Sequence, residues 1–579
     1  MKEFPTDDDI SRVVALLIDT YHVPDRLIKG VMGKEQINQL NRMLQDFSQQ
    51  TMGSYQMARL VVMQKGAEVF SGSGQAVREL RKFLLKKLSD DTVKALYEQH
   101  PNPKKKITTP SYMYGELASK KWIPGGRWPK AFVRALGFPA IFAGLSQKDG
   151  KKKAVYEDVT PQKKVPKLVP YQEDMKQRML DVLNREGDHT RCMLSLPTGG
   201  GKTRIAVESF IEWMHPRFYD GKYMIWIAQS EELCEQAITC ISDMWIDKEF
   251  SESLRIYRYF GGSEPDPDDL TGGVVVASIR QIYSRLQNDD PFIQEVLQDC
   301  GAMIIDEAHH AASHMYAQLF EKAEELAGKG LFAVCGLTAT PGRSDESTYT
   351  LVDRFEAYLI KPEFQWSETY HRNPLAYFRD EGYLARPKHI VYENNSRPIE
   401  VKEEEVFDHF GDFAPEFLRV LAADQERNKL IAKRLMEIPQ GAPTLVYACT
   451  VEHAEFLASV MNALGRKAVS ISAKTSKAQR NMYIDAFKRG DIEFLFNYGV
   501  LTTGFDAPKT EYIVICRPTT SAVLYEQIIG RGLRGPKFGG TSTCTIIDFA
   551  DNILNLGPPL AYTRFHHLWE LKEEVLPAR

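Results

Sequence analysis

Between about residue 167 and residue 550 one pattern repeats: a short, continuously apolar run, then a stretch with helical periodicity. The runs are Met224–Ala228, Val274–Ala277, Ala302–Ile305, Phe332–Val334, Thr444–Tyr447, Phe494–Phe496, Tyr512–Ile515 and Cys544–Ile547. A strand with one wet face alternates apolar and polar side chains. A strand that is apolar at every position is covered on both faces, as in a parallel sheet wrapped by helices. The span of roughly 380 residues exceeds what a single core holds, so two consecutive α/β domains are expected.

One strand-to-helix boundary is rich in glycine. Cys192 to Ala206 reads C-M-L-S-L-P-T-G-G-G-K-T-R-I-A. Met193, Leu194 and Leu196 suit a buried strand, Pro197 to Gly201 suit neither strand nor helix, and Ile205, Ala206 and Phe210 recur at helical spacing. In such a loop glycines let backbone N–H groups curl around phosphate oxygens, and the helix N-terminus adds a positive dipole end. Pro197, Thr198, Gly199, Gly200 and Gly201 therefore form a candidate phosphate cradle, Lys202 supplies a point charge, and Thr203 offers a hydroxyl to Mg²⁺. The strict pattern asks for a glycine six residues before the lysine, where this chain has Leu196. Taken alone the loop also fits a plain glycine-rich turn.

About a hundred residues on, Ile304-Ile305-Asp306-Glu307-Ala308-His309 delivers two carboxylates at the end of an apolar strand, where ligands of parallel sheets gather. Asp306 is expected to hold Mg²⁺, directly or through water, and Glu307 to polarise the attacking water.

D-E-A-H at 306–309, with L-P-T-G-G-G-K-T, resembles the DExH-type superfamily 2 helicases and translocases. The other motifs follow in order. L-V-P-Y-Q at 168–172 is similar to the upstream adenine-reading motif, which puts Tyr171 and Gln172 at the base, although Val169 stands where an Arg is often found. I-A-Q-S-E-E-L at 227–233 and V-V-A-S-I-R-Q at 275–281 are similar to the segments that contact the nucleic-acid backbone, here through Gln229, Ser278 and Arg280. L-T-A-T-P at 337–341 is similar to the coupling motif and implicates Thr338 and Thr340, with His309 bridging the ATP site to the domain interface.

In the second half, L-V-Y-A-C-T at 445–450, L-T-T-G-F-D-A-P at 501–508 and Q-I-I-G-R-G-L-R at 527–534 resemble the remaining motifs. The resemblance implies strand contacts at Thr450 and Thr502, a link between nucleotide state and strand through Gly504 and Asp506, Gln527 at the γ-phosphate, and Arg531 and Arg534 as arginine fingers. A guanidinium offered across a cleft stabilises the charge that spreads over a transferred phosphoryl group.

The resemblance covers about residues 168–555 and is greatest to restriction-type motors and the RadD-like and XPB-like group. It implies two tandem RecA-like domains, at 168–385 and 386–579, with ATP and Mg²⁺ as cofactors and nucleic acid, DNA favoured, as the track. A cysteine cluster of the RadD type and a nuclease or methyltransferase motif are not found in the sequence. Duplex translocation without strand separation and RNA as the track stay open. A non-catalytic nucleotide-binding scaffold is the reading of another class, and the presence of Lys202, Thr203, Asp306, Glu307, Arg531 and Arg534 speaks against it.

Upstream, residues 1–100 read as a small helical accessory domain with apolar stripes such as Val77, Leu80, Leu84 and Leu88, a possible seat for protein partners. Residues 101–167 are different. Pro101 to Pro170 holds fifteen Lys or Arg against four Asp or Glu, a local +11 in a chain of net charge −4. The basic runs at 104–106, 120–121 and 151–153 alternate with Tyr112, Tyr114, Trp122, Trp128, Phe132 and Phe138. That mixture suits a phosphate backbone with bases stacked on rings. It equally suits a solvated linker whose aromatics pack on a neighbouring domain.

The eight cysteines include no C-x-x-C pair, so buried free thiols and a reducing compartment are expected. M-K-E-F-P-T-D-D-D lacks the form of a signal peptide, and Phe132–Leu145 contains Arg134 and falls short of the ~20 residues a bilayer needs. A cytoplasmic protein without membrane contact is the expectation. His310, His314, His566 and His567 carry no motif that would make them metal ligands.

Overall fold

The computed structural model describes residues 5–48, 52–66, 68–72, 74–101, 109–144, 156–159, 167–218, 220–248, 250–341, 345–392, 413–473, 475–501, 507, 509–519 and 522–549. Lys104–Lys106, Lys151–Lys153, Thr502, Gly504, Asp506, His566 and His567 lie outside them.

Two sheets carry the expected α/β halves. The first has strands β1 (Tyr156–Val159), β2 (Arg191–Ser195), β3 (Tyr223–Ala228), β4 (Leu254–Tyr259), β5 (Gly273–Ser278), β6 (Cys300–Asp306), β7 (Ala333–Thr338) and β8 (Leu359–Ile360). Their order is β1-β4-β5-β3-β6-β7-β2-β8, parallel except for β1 on β4. The second sheet has β9 (Arg386–Tyr392), β10 (Thr444–Tyr447), β11 (Ala468–Ile471), β12 (Phe494–Asn497), β13 (Tyr512–Ile515) and β14 (Thr543–Phe549), in the all-parallel order β11-β12-β10-β13-β14-β9.

The apolar runs are continuous because each strand feeds two cores. On β3, Met224, Trp226 and Ala228 face one layer with Phe210 and Leu337, while Ile225 and Ile227 face the other with Val334 and Phe355. In the second sheet Phe494, Phe496 and Val514 serve one layer, and Leu495, Ile513 and Ile515 the other. Period-two alternation is present, with both phases apolar.

Strands β1, β4, β8, β9 and β11 have no counterpart among the predicted runs. Four of them lie at sheet edges, where one side of the strand needs no neighbour. β4 is interior but reads L-R-I-Y-R-Y, and its charges have partners: Arg258, 3% exposed, faces Glu235 at 3.8 Å, and Arg255 reaches the Thr271 hydroxyl at 3.3 Å.

The helical region is larger than its first hundred residues. One core runs from Ile10 to Ala143 and takes in Trp122, Trp128, Phe132, Phe138 and Phe142. Phe70 is its hub, with ring centroids of Phe138 at 4.8 Å and Phe132 at 5.7 Å. The aromatics read as possible base-stacking platforms are therefore mostly structural. Trp122, Trp128, Phe132 and Phe138 are 8% exposed or less, whereas Tyr112 is 72% exposed.

This helical body is fastened to the second sheet's domain. Ala432 and Val460 join its core, the Gln64 amide donates to the Glu455 carbonyl at 3.0 Å, the Ser459 hydroxyl donates to Gln64 Oε1 at 2.6 Å, and Lys429 pairs with Asp46 at 2.6 Å. Among the described residues all eight cysteines are free, and no helix is long and apolar enough to cross a membrane.

Trp128→Ala separates the two roles of the aromatics. Emptying a packed aromatic site costs about 3–5 kcal/mol of stability, read by chemical denaturation, and nucleic-acid affinity of the folded variant is expected to stay at the wild-type value.

Candidate active site between the two sheets

β2 runs into the glycine loop and the loop into the helix Lys202–Met214. Gly199 and Gly201 have φ of +86° and +92°, a region that side-chain-bearing residues avoid. The position where the strict motif has glycine is filled by Leu196, which is fully buried in the sheet's core. The substitution therefore serves packing below the loop and leaves the two glycines that shape the turn in place.

The helix Pro170–Asn184 fixes the loop from the side. Tyr171 OH and Gln172 Nε2 both donate to the Gly200 carbonyl, at 2.8 and 3.2 Å, while Gln172 Oε1 accepts from Val169 N at 3.2 Å. A Cβ on Gly201 would sit 2.3 Å from Gln172 Nε2. The residues read as adenine contacts are thus also braces of the phosphate loop. Lys202 folds back, its ammonium donating to the Leu196 carbonyl at 3.0 Å, and burial lowers its pKa. Thr203 is half-buried at the first turn of the helix.

Across the loop, β6 ends at Asp306. Its carboxylate is 8% exposed and accepts from Glu307 N at 3.0 Å. Burial first, then the charge of Glu307, push the Asp306 pKa up to about 7, against the pull of Lys202 and Arg531. Glu307 has φ of +50°, an uncommon conformation for a residue with a Cβ and one that recurs at functional turns. His309, 1% exposed, stands between Glu307 Oε2 at 3.5 Å and the Thr338 hydroxyl at 3.2 Å. Thr338 donates to the Thr340 carbonyl at 2.8 Å and accepts from Thr340 N at 3.1 Å. With that hydroxyl already donating, His309 Nδ1 carries the proton toward it. His309, Thr338 and Thr340 form one chain from the carboxylates to the next loop.

The second domain reaches this site through the helix Ala522–Ile529 and the loop after it. Gly530 lies so close to the glycine loop that a Cβ there would be 2.5 Å from Thr198 Cβ. Arg531 is near enough to depress the pKa values of both Lys202 and Asp306, and Glu526 raises that of Lys202. Gln527 is half-buried on the same helix. Arg534 arrives by its backbone, its Cα 3.8 Å from where a Gly199 Cβ would be.

The loop of Arg531 and Arg534 is stitched to the connector between the two sheets, a feature absent from the motif reading. Ala385 N donates to Leu533 O at 2.8 Å, Gly535 N to Tyr383 O at 2.9 Å, Lys537 N to Gly382 O at 3.1 Å and Arg386 N to Ser542 O at 2.9 Å. Tyr383 stacks on Phe538 at 5.3 Å, and Lys537 pairs with Glu381 at 2.8 Å. Nothing local in the segment D-E-G-Y-L at 380–384 marks this role, because its partners lie some 150 residues away.

The described residues read as strand contacts, Gln229, Ser278, Arg280 and Thr450, gather at the C-terminal ends of strands, as expected for parallel sheets. Ser278 ends β5 and caps the next helix, accepting from Gln281 N at 3.3 Å, with Arg280 exposed beside it. Thr450 does the same after β10, accepting from His453 N at 3.1 Å. Gln229 differs: its amide donates inward to Tyr316 OH at 3.1 Å instead of facing the surface. Beside these ends Arg480 of the second domain meets Glu232 of the first at 3.0 Å.

Two family descriptions fit this arrangement. The one for the type III restriction enzyme, res subunit, matches residues 166–343, and the one for the helicase conserved C-terminal domain matches 426–535. The chain thus carries both domains of a superfamily 2 helicase, consistent with the restriction-motor group. Among relatives, this helicase is 28% identical to the putative ATP-dependent helicase IRC3 of Saccharomyces cerevisiae, over 66% of this chain and 51% of that protein. It is likewise 28% identical to the putative mitochondrial ATP-dependent helicase irc3 of Schizosaccharomyces pombe, over 68% of this chain and 60% of the relative. The type I restriction enzyme EcoAI endonuclease subunit of Escherichia coli is 24% identical over 62% of this chain and 43% of its own. The helicase thus spans between half and three-fifths of its two yeast relatives.

Two predictions follow from this geometry. A Cβ at Gly535 would lie 2.3 Å from the Gly382 carbonyl, so Gly535→Ala forces the connector and the loop of Arg531 and Arg534 apart. ATP turnover is expected to fall on the order of ten- to a hundredfold, with nucleotide affinity, measured by fluorescent-nucleotide titration, little changed. The second concerns pH. Asp306 keeps its proton in the fold up to about pH 7 but ionises near 3.8 in the unfolded chain. Between those values the folded state holds the extra proton, so stability declines as pH rises through the window. Asp306→Asn removes that decline, and its nucleotide-free melting temperature should pull ahead of wild type progressively from pH 5 to pH 7.

Proposed function

We propose that this helicase is a motor that moves along DNA, driven by hydrolysis of Mg·ATP between its two parallel-sheet domains. The observation that carries the reading is the seat of the second domain on the phosphate loop: Gly530 against Thr198, with the charge of Arg531 felt at both Lys202 and Asp306. Cleft closure of that kind puts a guanidinium where phosphoryl charge develops.

In this mechanism Lys202 exchanges the Leu196 carbonyl for phosphate oxygens, and the N–H groups of Gly199–Gly201 line the cradle. Glu307 orients the attacking water. Arg531, with Arg534 and Gln527 beside it, stabilises the charge on the transferred group. The site also suits a hard cation, because burial and the charge of the adjacent Glu307 both work against ionisation of Asp306. Asp306 and the Thr203 hydroxyl would hold Mg²⁺, which when bound neutralises phosphate charge.

Loss of the γ-phosphate would be sensed at Glu307 and passed by His309 to Thr338 and Thr340. Gly504 and Asp506 are assigned to the same linkage from the second domain. The strand would lie across Ser278, Arg280 and Thr450 at the strand ends, with Thr502 assigned to the same track, and inter-domain movement there becomes translocation. DNA is favoured as the track by the restriction-enzyme family that matches the first domain and by the restriction endonuclease subunit among the relatives.

The test is ATP turnover with no nucleic acid, single-stranded DNA, duplex DNA or RNA. Stimulation by DNA is expected in the wild type, none in Lys202→Ala, and a roughly thousandfold lower kcat in Arg531→Ala with ATP still bound. A wild type that ignores every nucleic acid overturns the motor reading, and one that answers only to RNA overturns the choice of track.

A further inference from the structure

The helical body carries a set of cations that the ATP site does not use. From Leu117 to Gly144 the chain has five basic residues, Lys120, Lys121, Arg127, Lys130 and Arg134, and no Asp or Glu. Arg127, Lys130 and Arg134 occupy one face of the helix Arg127–Ala135 at spacing i, i+3, i+7, and all three are exposed. The opposite face, with Trp128, Phe132 and Val133, is buried in the core, which fixes the direction in which the cations point. The exposed Lys121 comes from the end of the preceding helix, Pro110–Ser119, followed by Ile123 at 60% exposure. His100 ties the two segments together: after burial, the charges of Lys120 and Arg127 both lower its pKa.

These cations are also uncompensated. Lys120 donates to the Pro101 carbonyl at 3.2 Å, but Lys121, Arg127, Lys130 and Arg134 have no ion pair among the described residues. Exposed cations elsewhere are commonly paired, as in Arg372 with Glu368 and Arg419 with Glu416. Like charges gathered without counter-ions repel one another in the folded state, a cost that an anionic partner removes.

We propose that this face is a second nucleic-acid contact of the helicase, one that grips the phosphate backbone of a duplex away from the motor cleft. The inference rests on the motor reading and adds a site that the helicase motifs do not contain. The choice of a duplex follows from the rings. Single strands are held by aromatic platforms on which bases stack, and Trp122, Trp128 and Phe132 face inward. The exposed Tyr112 stands at the far end of the helix Pro110–Ser119 from Lys121. What remains is a row of cations over eight residues, about 10 Å of helix, against a polymer bearing one charge per ~1.7 Å of axis. Because the helical body shares its core with Ala432 and Val460, a duplex held here is tethered to the domain that bears Arg531 and Arg534.

The experiment uses the full chain carrying Arg127→Gln, Lys130→Gln and Arg134→Gln together, titrated with a blunt 30-base-pair duplex and with a 30-nucleotide single strand at several salt concentrations. Duplex affinity should fall on the order of tenfold at low salt, and the slope of log affinity against log salt should shrink by about 2 to 3. Single-strand affinity, turnover without nucleic acid and melting temperature should remain within about twofold or a degree of wild type, and the Arg127→Lys, Arg134→Lys variant should keep duplex binding. Wild-type duplex affinity and slope in the triple variant would overturn the proposal, as would an equal loss for the single strand, or capture of polyglutamate in preference to duplex by the wild type. If instead the wild type binds no nucleic acid at all, the motor reading fails first, and the two failures are told apart.

Discussion

Four backbone hydrogen bonds between the connector at 382–386 and the loop at 533–542 tie the two sheets into one working relation. They need glycine on both sides of the seam. Gly382 takes φ of +71°, and Gly535 approaches so closely that no side chain fits. Through this seam the residues that enter the first domain's ATP site from outside are aimed by the same segment that leads out of that domain. Leu384 completes the junction: its backbone bridges to Arg534, and its side chain lies 3.7 Å from where a Gly199 Cβ would be. Connector, arginine-bearing loop and glycine loop meet at one point, so a change in any of them is felt by the other two.

Electrostatics then sets what the meeting can do. Asp306 is a carboxylate placed where burial and the neighbouring Glu307 oppose its charge, with Lys202 and Arg531 as the near cations. A buried site holding this balance is poised for a ligand that brings both phosphate anions and a hard cation. His309 links that balance to Thr338 and Thr340 through hydrogen bonds that depend on its own proton. The helical body is attached to the second domain by apolar packing and by Gln64, Asp46 and Ser459, so its basic face belongs mechanically to the half of the machine that carries the arginines.

Much of this was legible in the sequence. Strands that are apolar in both phases announce a doubly covered sheet wherever they occur, because no other common environment tolerates them. The glycine loop, the D-E pair and the Q-I-I-G-R-G-L-R segment announce phosphate chemistry because residue type and local spacing alone determine which groups point out of a strand-end loop. Edge strands such as β9, reading R-P-K-H-I-V-Y, and the interior β4 were not legible, since their charges look like those of loops until Glu235 or a sheet edge supplies the partner. Gln229 was legible as a motif residue, yet its amide turns toward Tyr316, a partner 87 positions away.

By itself, then, the sequence determined the two α/β halves and singled out the glycine loop, the carboxylate pair and the arginine loop as candidates for nucleotide chemistry, all of which depend on patterns a few residues long. Tertiary structure decided the rest. It assigned the tryptophans of 101–144 to a core instead of a binding surface, because burial depends on what packs against a ring and composition cannot say. It docked the N-terminal helices on the second domain although they precede the first in sequence. It also brought Gly530 and Arg531 to Thr198 and Lys202 across more than three hundred residues, because contacts of that range are set by how two sheets are joined and leave no local trace in the chain.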